Sequence, residues 1–336
     1  MKCHNGGYAL DERLGVQGRF SPQARRLISL AAASWSYDVS SERLAELCGL
    51  SVSDTSIREV AQATGARMLE WQRTTPAAVR AFHTATGDIE FTTDGTSVNT
   101  TDGWREVKLG IFSKRDRGQP ALPGEWGDRQ LPKPKTCVAF AAIEASEPFG
   151  ARWKAWAKRL DIHDTSTITV LADGAKWIWE EARLNLPGSQ GVLDVYHALE
   201  HISDTSKTLF GDGTTESQAW TNELRTALLG RGWPGFDACW QHTRGQFPES
   251  GPQSTALQEL RNYLGNHVGH LNYAGRLQEG RSIGSGQIEG ACKNLIGRRL
   301  KQTAARWRVR RLNRMAGLCS IMYSQQWTEY WNQQSA

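Results

Sequence analysis

Three apolar stretches rich in β-branched residues follow one another in the first half of this chain. They are Asp88-Ile-Glu-Phe-Thr-Thr-Asp-Gly-Thr-Ser-Val98, Arg105-Glu-Val-Lys-Leu-Gly-Ile-Phe112 and Thr136-Cys-Val-Ala-Phe-Ala-Ala-Ile143. Loops that contain glycine and proline separate them, a pattern typical of consecutive antiparallel strands. We therefore predict a three-stranded meander that begins at Asp88.

The residues after the meander alternate between helical and strand patterns. A helix is predicted over 149–160, followed by a strand of the buried type, Thr167-Ile-Thr-Val-Leu-Ala172. A second helix over 175–186 and a last strand over 191–196 complete the series. The resulting order βββαβαβ predicts an α/β fold in which helices flank a mixed sheet, and it is the order of a ribonuclease H-like core.

Residues 1–87 are predicted to form a helical, helix-turn-helix-like DNA-binding region. Ser21 and Pro22 supply a cap and a first-turn proline to one helix. Ala45, Gly49 and a renewed helix start at Ser51 fit the spacing of a helix-turn-helix, because a small residue lets two helices cross closely and glycine suits the turn. A helical hairpin used for packing or dimerisation has the same pattern, so both interpretations stay open.

The rest of the chain is divided by its helical patterns and by its charge. Residues 88–201 are interpreted as the first part of the core, 202–283 as a helical insertion, and 284–336 as the part that completes the core. After a Gly-Ser-Gly turn at 284–286 we predict one long helix from about Gln287 to Arg314.

The predicted C-terminal helix lies in a strongly basic part of the sequence. From 290 to 328 there is no acidic residue, and nine cations occur there: Lys293, Arg298, Arg299, Lys301, Arg306, Arg308, Arg310, Arg311 and Arg314. This block favours a phosphate-bearing partner, with a solvated helix face as the alternative.

The composition of the 336 residues excludes several classes of protein. Hydrophobic residues make up 39% and charged residues 22%, which excludes a disordered or collagen-like chain. No apolar stretch approaches the ~18 residues of a membrane span, and the first residues lack the order of a secretory signal. The six cysteines form no C-x-x-C pair, so neither a zinc knuckle nor a disulfide framework is predicted. We expect a cytoplasmic, nucleoid-associated protein without a membrane partner.

Three acids occupy positions where a ribonuclease H-like sheet would bring them together. Asp94 lies within the first strand, Asp173 closes the fourth, and Glu289 opens the C-terminal helix. Clustered carboxylates repel one another unless a divalent cation lies between them, and they suit Mg²⁺. Taken singly, each acid has a simpler explanation: Asp-Gly is a common turn dipeptide, and Glu289 fits a helix start or an ion pair with Lys293.

These stretches together resemble the bacterial insertion-sequence transposases of the Kra type, which are related to the Mutator-like group of DDE transposases. The resemblance covers nearly the whole chain. It rests on Asp94-Gly-Thr96, Gly103-Trp-Arg-Glu-Val-Lys108, Leu171-Ala-Asp-Gly-Ala-Lys-Trp-Ile-Trp179, Asp194-Val-Tyr-His-Ala-Leu-Glu-His201, Gly286-Gln-Ile-Glu-Gly-Ala-Cys-Lys293, Arg299-Leu-Lys301 and Ala305-Arg-Trp307. One departure concerns the zinc-ribbon-like region that family members carry, of which only Cys3-His-Asn-Gly6 resembles a remnant.

The resemblance implies a polynucleotidyl transferase that hydrolyses phosphodiesters and transfers strands of an insertion sequence by a two-metal mechanism. Asp94, Asp173 and Glu289 would be the catalytic and metal-binding triad, with Mg²⁺ as cofactor and Mn²⁺ as substitute. Asp194 and His197 match the D-x-x-H element and would support the core. The implied partner is double-stranded DNA, both element ends and target, bound by a homodimer. The expected DNA contacts come from the basic block: Lys293, Arg298, Arg299, Lys301, Arg306, Arg308, Arg310 and Arg311.

Other functions remain open from the sequence. A non-catalytic DNA-binding remnant of a transposase would keep the basic block without cutting DNA, and a structure-selective nuclease on the same fold would cut DNA without joining it. His197-Ala-Leu-Glu-His201 also spells H-x-x-E-H, which on a helix places two imidazoles on one face, as in the inverted zinc peptidases.

Overall fold

A single mixed sheet of five strands organises the molecule, for which the computed structural model describes residue 16 and residues 19–334. The strands are β1 (Asp88–Thr100), β2 (Gly103–Arg115), β3 (Thr136–Ala142), β4 (Ile168–Ala172) and β5 (Gln190–Leu193). Their order across the sheet is β3-β2-β1-β4-β5. The β1–β2 and β2–β3 pairs are antiparallel, whereas the β1–β4 and β4–β5 pairs are parallel. The predicted α/β fold with a mixed sheet is confirmed.

The fifth strand is shorter than predicted, because a helix begins where the strand pattern was expected to continue. Asp194 directly follows β5, and its Oδ1 accepts the backbone N–H groups of Tyr196 at 2.6 Å and His197 at 3.1 Å. These bonds cap a helix that starts at Val195, so the strand stops at Leu193 instead of Tyr196.

Two hydrophobic cores cover the two faces of the sheet. On one face, helices α5 (Ser146–Arg159) and α6 (Lys176–Asn185) pack on an aromatic core that includes Phe91, Phe112 and Trp153. On the other face, Leu109 and Ile111 share a core with the N-terminal and C-terminal helices. The N-terminal region and the sheet are therefore packed as one body and not joined by a bare linker.

The described part of the N-terminal region, from residue 19 onwards, is mainly helical, as predicted. Its helices are α1 (Pro22–Ser34), α2 (Tyr37–Cys48), α3 (Asp54–Thr74) and α4 (Ala77–Thr84). Ser21 caps α1 as predicted, and Gly49 ends α2 with φ 63°. The next helix starts at Asp54 behind its cap Ser53, slightly later than the predicted Ser51.

Residues between β5 and the C-terminal part are helical, as expected for the insertion. The helices are α7 (Val195–Phe210), α8 (Thr215–Arg244), α9 (Pro252–Gly265) and α10 (Tyr273–Gln278). They share a core of their own that continues onto Leu171 and Leu193 of the sheet. The predicted boundary at 202 falls inside α7, because the cap at Asp194 starts this helix directly after β5.

The single long helix predicted from Gln287 to Arg314 is wrong. The chain forms α11 (Gly286–Ala291), a π-helical turn (Cys292–Gly297), the short α12 (Arg298–Leu300), and later α13 (Val309–Tyr323) and α14 (Trp327–Gln334). Residues 301–308, here called the bridging segment, are not helical. Trp307 donates its N–H to Asn99 O at 3.1 Å and accepts the N–H of Thr101 at 2.8 Å. This bridge to the end of β1 interrupts the helix, and helical periodicity alone does not reveal it.

Among the helices formed by residues 19–334, none combines the length and the apolar character needed to cross a bilayer. Cys3-His-Asn-Gly6, the stretch that resembles a zinc-knuckle remnant, lies outside the described residues.

Candidate active site

Asp94 and Asp173 lie at the same level of two neighbouring parallel strands. Thr92 of β1 is in register with Leu171 of β4, and each aspartate lies two residues beyond its member of that pair. Neighbouring strands are about 4.8 Å apart, so the two positions adjoin. This register puts the two aspartates on adjacent strands, and their joint role as metal ligands stays a prediction.

The Asp94 carboxylate is held by the next backbone N–H group of β1 and by the C-terminal helical stretch. Its Oδ1 accepts the N–H of Gly95 at 2.6 Å, and its Oδ2 lies 3.7 Å from the Cys292 thiol of the π-helical turn. Burial raises the pKa of Asp94, and the negative charge of Asp173 raises it further. The two carboxylates therefore already repel one another across the two strands.

Gly95 is required beside Asp94 because another side chain lies over it. A Cβ atom added to Gly95 would meet Oε1 of Glu106 at 2.1 Å. Glu106 in turn pairs with Lys108, which is 5% exposed and lies 5.1 Å from the centre of the Trp177 ring. Lys108 is the register partner of Gly95, and its charge is paired with that of Glu106.

Glu289 lies on α11, whose start is fixed by Asp194. Oδ2 of Asp194 accepts the backbone N–H of Ser285, and the Asp194 side chain is fully buried. Glu289 is half-buried, and with Asp94 it contributes to the raised pKa of Cys292, which burial and these charges bring to about 12. Glu289 and Asp94 thus both place negative charge in the neighbourhood of this thiol.

The three acids share a neighbourhood but do not converge on one point. Within residues 19–334, no three His, Cys, Asp or Glu side chains form a group that could hold a metal ion. The same part of the chain places no Lys, Arg or His in an ion pair with Asp94, Asp173 or Glu289. Carboxylate oxygens that lack a counter-cation are the donors that Mg²⁺ prefers, so the donor set fits this ion although the structure does not bring all three together.

Asp194 and His197 occupy supporting positions. All the hydrogen bonds given above for Asp194 come from backbone N–H groups, so this acid closes a turn and a helix start. His197 lies 3.3 Å from Glu200 through its Nδ1 and contributes a favourable charge at Asp94. The ring of His201 stacks on Tyr263 at 3.8 Å. No third metal ligand joins the two histidines in the described part of the chain, so the H-x-x-E-H zinc interpretation gains no support.

The helical insertion covers Asp173 with residues that the sequence analysis did not single out. A Cβ atom on Gly174 would lie 2.4 Å from the Tyr263 ring, so this ring occupies the space above the Asp173-Gly174 turn. His267 hydrogen-bonds the backbone of Gly174, and His270 stacks on Trp179 at 4.0 Å. Burial lowers the pKa of both histidines, that of His270 to about 4. The aromatic and histidine content of 263–270 was the signal that could have pointed to them.

The basic block is mostly exposed, with one exception. Lys293, Arg298, Lys301, Arg306, Arg308, Arg310 and Arg311 have exposed side chains. Arg299, by contrast, is 3% exposed, and its Nε donates to Ala32 O at 2.5 Å. Its predicted role as a DNA contact is therefore not compatible with its position, because the side chain is used to pack α1 and α2.

No protein-family model matches this chain, and no curated protein sequence matches it significantly.

Proposed function

We propose that this protein is a DDE-type DNA transposase with a ribonuclease H-like catalytic core. The observation that carries the proposal is the shared level of Asp94 and Asp173 on neighbouring parallel strands within a sheet of order β3-β2-β1-β4-β5. Directly after the α11 helix, which carries Glu289, the thiol of Cys292 lies 3.7 Å from Asp94 Oδ2. An exposed basic surface continues from the same helical stretch.

Asp94, Asp173 and Glu289 are the residues that would hold Mg²⁺, or Mn²⁺ in its place. Bound there, the metal would lower the pKa of a coordinated water and offset charge on a phosphodiester. Asp194 keeps α11 at a fixed position beside β1 through its bond to Ser285. Lys108, the register partner of Gly95, pairs with Glu106 and lies against the Trp177 ring.

The exposed cations suit the backbone of double-stranded DNA. Lysine and arginine contacts to phosphates position a duplex without reading its sequence. The proposed reaction is hydrolysis of one strand at the element end, after which the freed 3′-hydroxyl attacks target DNA with no covalent enzyme intermediate. Two ends must be paired for this reaction, so we propose a homodimer on DNA, in the cytoplasm and at the nucleoid, with α2 and α3 as a helix-turn-helix-like contact.

The decisive experiment is a strand-transfer assay with Asp173→Asn. Labelled DNA with a free 3′-hydroxyl, a plasmid target and Mg²⁺ or Mn²⁺ should give joined product with the unmodified chain. We expect Asp173→Asn to lose at least about 10³-fold in rate while its DNA affinity stays unchanged. Asp212→Asn is the matched control, because Asp212 is an exposed aspartate in the turn between α7 and α8.

Other outcomes of this strand-transfer assay indicate other functions or contradict the site. Cutting that depends on Asp173 without any joining identifies a structure-selective nuclease. Salt-sensitive DNA binding without cutting or joining identifies a non-catalytic remnant. Joining that survives Asp173→Asn contradicts the assignment of the site.

A further inference from the structure

A cleft of about 560 Å³ lies between the N-terminal helices and the bridging segment. We call it the arginine cleft, because its walls include Arg58 of α3 and Arg299, Arg306, Arg308 and Arg311 from the C-terminal part. Asp38 and Asp54 are the acidic residues of its lining. The cleft therefore has a net charge of about +3, and its volume is in the range of ligand sites in proteins.

The arginines of the cleft form no close ion pairs with the rest of the described chain, although the charge of Asp38 acts on Arg299. Among the described residues, no carboxylate forms an ion pair with Arg58, Arg299, Arg306, Arg308 or Arg311. Arg306 makes only long bonds to backbone carbonyls, 3.4 Å to Thr100 O and 3.3 Å to Thr101 O. Four of these arginines, Arg58, Arg306, Arg308 and Arg311, outnumber the two aspartates of the lining, and this excess of positive charge favours an anionic ligand.

One wall of the cleft is rigid. The guanidinium of Arg299 lies 4.9 Å from the ring centres of both Tyr37 and Trp307, and Trp307 is bonded to the end of β1. This stack joins the start of α2 to the bridging segment. Arg299 is 3% exposed and covers both rings, so the four other arginines, and not Arg299 or an open aromatic face, are the groups that can meet a ligand. A phosphate group suits such a site better than a base does.

The position of the cleft relative to Asp94 defines where it would touch a nucleic acid. Asp94 lies within strand β1, which ends at Thr100, and Thr101 lines the cleft. Six residues of extended strand span about 20 Å. DNA rises about 3.4 Å per base pair, so for a duplex that runs alongside β1 this distance corresponds to about six base pairs.

We propose that the arginine cleft binds a phosphodiester of the DNA backbone about six base pairs from the phosphodiester that is cut, with Arg58 as a contact contributed by the N-terminal region. This inference rests on the proposed function. According to this inference, the N-terminal helices help to hold the DNA near the active site through Arg58, which lies outside the basic block.

The test uses the full chain and duplex DNA that carries the cut site, with one neutral methylphosphonate placed at successive positions three to nine base pairs from it. The unmodified chain should lose affinity about tenfold when the neutral group lies near position six. Arg58→Ala should bind the unmodified duplex about tenfold more weakly, and it should be insensitive to the methylphosphonate at that position. Its log-log salt dependence should fall by about 1, as expected for one lost phosphate contact.

Arg183→Ala is the matched control, because Arg183 is exposed on α6 at the opposite face of the sheet. Arg308→Ala should behave as Arg58→Ala does, and agreement between the two variants guards against a local folding defect in either one.

The inference is overturned if Arg58→Ala and Arg308→Ala bind the duplex as tightly as the control. It is also overturned if their loss of affinity is the same for every methylphosphonate position. It is also overturned if inorganic phosphate or a mononucleotide binds in an Arg58-dependent manner and the duplex does not. If the unmodified chain shows no salt-dependent binding to the duplex, the proposed function fails as a whole.

Discussion

The carboxyl ends of β4 and β5 each carry an aspartate, and the two aspartates differ in how their oxygens are used. Ala172 and Leu193 are register partners, so Asp173 and Asp194 follow at the same level of the sheet. Asp194 is fully buried and accepts three backbone N–H groups. Asp173 is partly exposed and accepts one, from Ala175 at 3.0 Å. The Asp194 carboxylate uses its oxygens to hold backbone N–H groups in place. The Asp173 carboxylate accepts one such bond, so its remaining lone pairs are available to a cation.

The comparison is tested most strongly by removing each carboxylate in turn. Asp194→Ala should lower the free energy of unfolding by about 3 kcal/mol, because three backbone donors at a helix start and a turn lose their acceptor. Asp173→Ala should change it by less than about 0.5 kcal/mol. Urea titration of both variants measures the two values, and equal losses would remove the distinction between the two strand ends.

The second test concerns the histidines that cover only the Asp173 end. Because the pKa of His267 and of His270 is lowered in the folded state, the unfolded chain binds protons first as pH falls below about 6.5. Their contribution to stability is complete above pH 6.5 and is lost as pH falls towards the folded value of His270, about 4. Between pH 7 and pH 4.5, the unmodified chain should lose about 2 kcal/mol more than His267→Gln/His270→Gln. If the free energy of unfolding falls with pH in the same way for both proteins, the pKa values of these two histidines are not lowered in the folded chain.

The smallest expected effect is the change in stability when the Asp94 carboxylate, next to Asp173, is made neutral. Its pKa is raised, so the folded chain holds a proton that the unfolded chain has released, and ionisation of Asp94 above that pKa destabilises the fold. Asp94→Asn should therefore be more stable than the unmodified chain by about 1 kcal/mol at pH 7, with the gain vanishing below about pH 4. Millimolar Mg²⁺ should raise the Tm of the unmodified chain and leave that of Asp94→Asn unchanged. A variant that is less stable at pH 7 would contradict the repulsion between Asp94 and Asp173.

The strands and the positions of the two aspartates could be predicted because they depend on local patterns. Alternation and β-branched residues identify β1 to β4, and Asp-Gly after a buried strand places Asp173 at its end. The bridging segment could not be predicted, because its helix is interrupted by a bond from Trp307 to a strand two hundred residues earlier in the chain. Arg299 was misassigned for the same reason, since a charge pattern does not show which cation is inserted between two aromatic rings. Glu289 depends on how α11 is seated, which Asp194 and Ser285 determine.

The π-helical turn at Cys292–Gly297 separates the acid of α11 from the packed residues of α12. Each residue of an α-helix advances the direction of its side chain by about 100°. A π turn accommodates one additional residue, so removing a single residue there would restore a regular helix and rotate Glu289 by about that angle relative to Leu300. Every acidic and basic side chain would still be present, yet Glu289 and Cys292 would turn together relative to α12, and Cys292 would leave its position beside Asp94. The rotation that this π turn gives to the helix therefore decides whether the carboxylate of Glu289 can approach those of Asp94 and Asp173. The number and type of charged residues alone do not decide it.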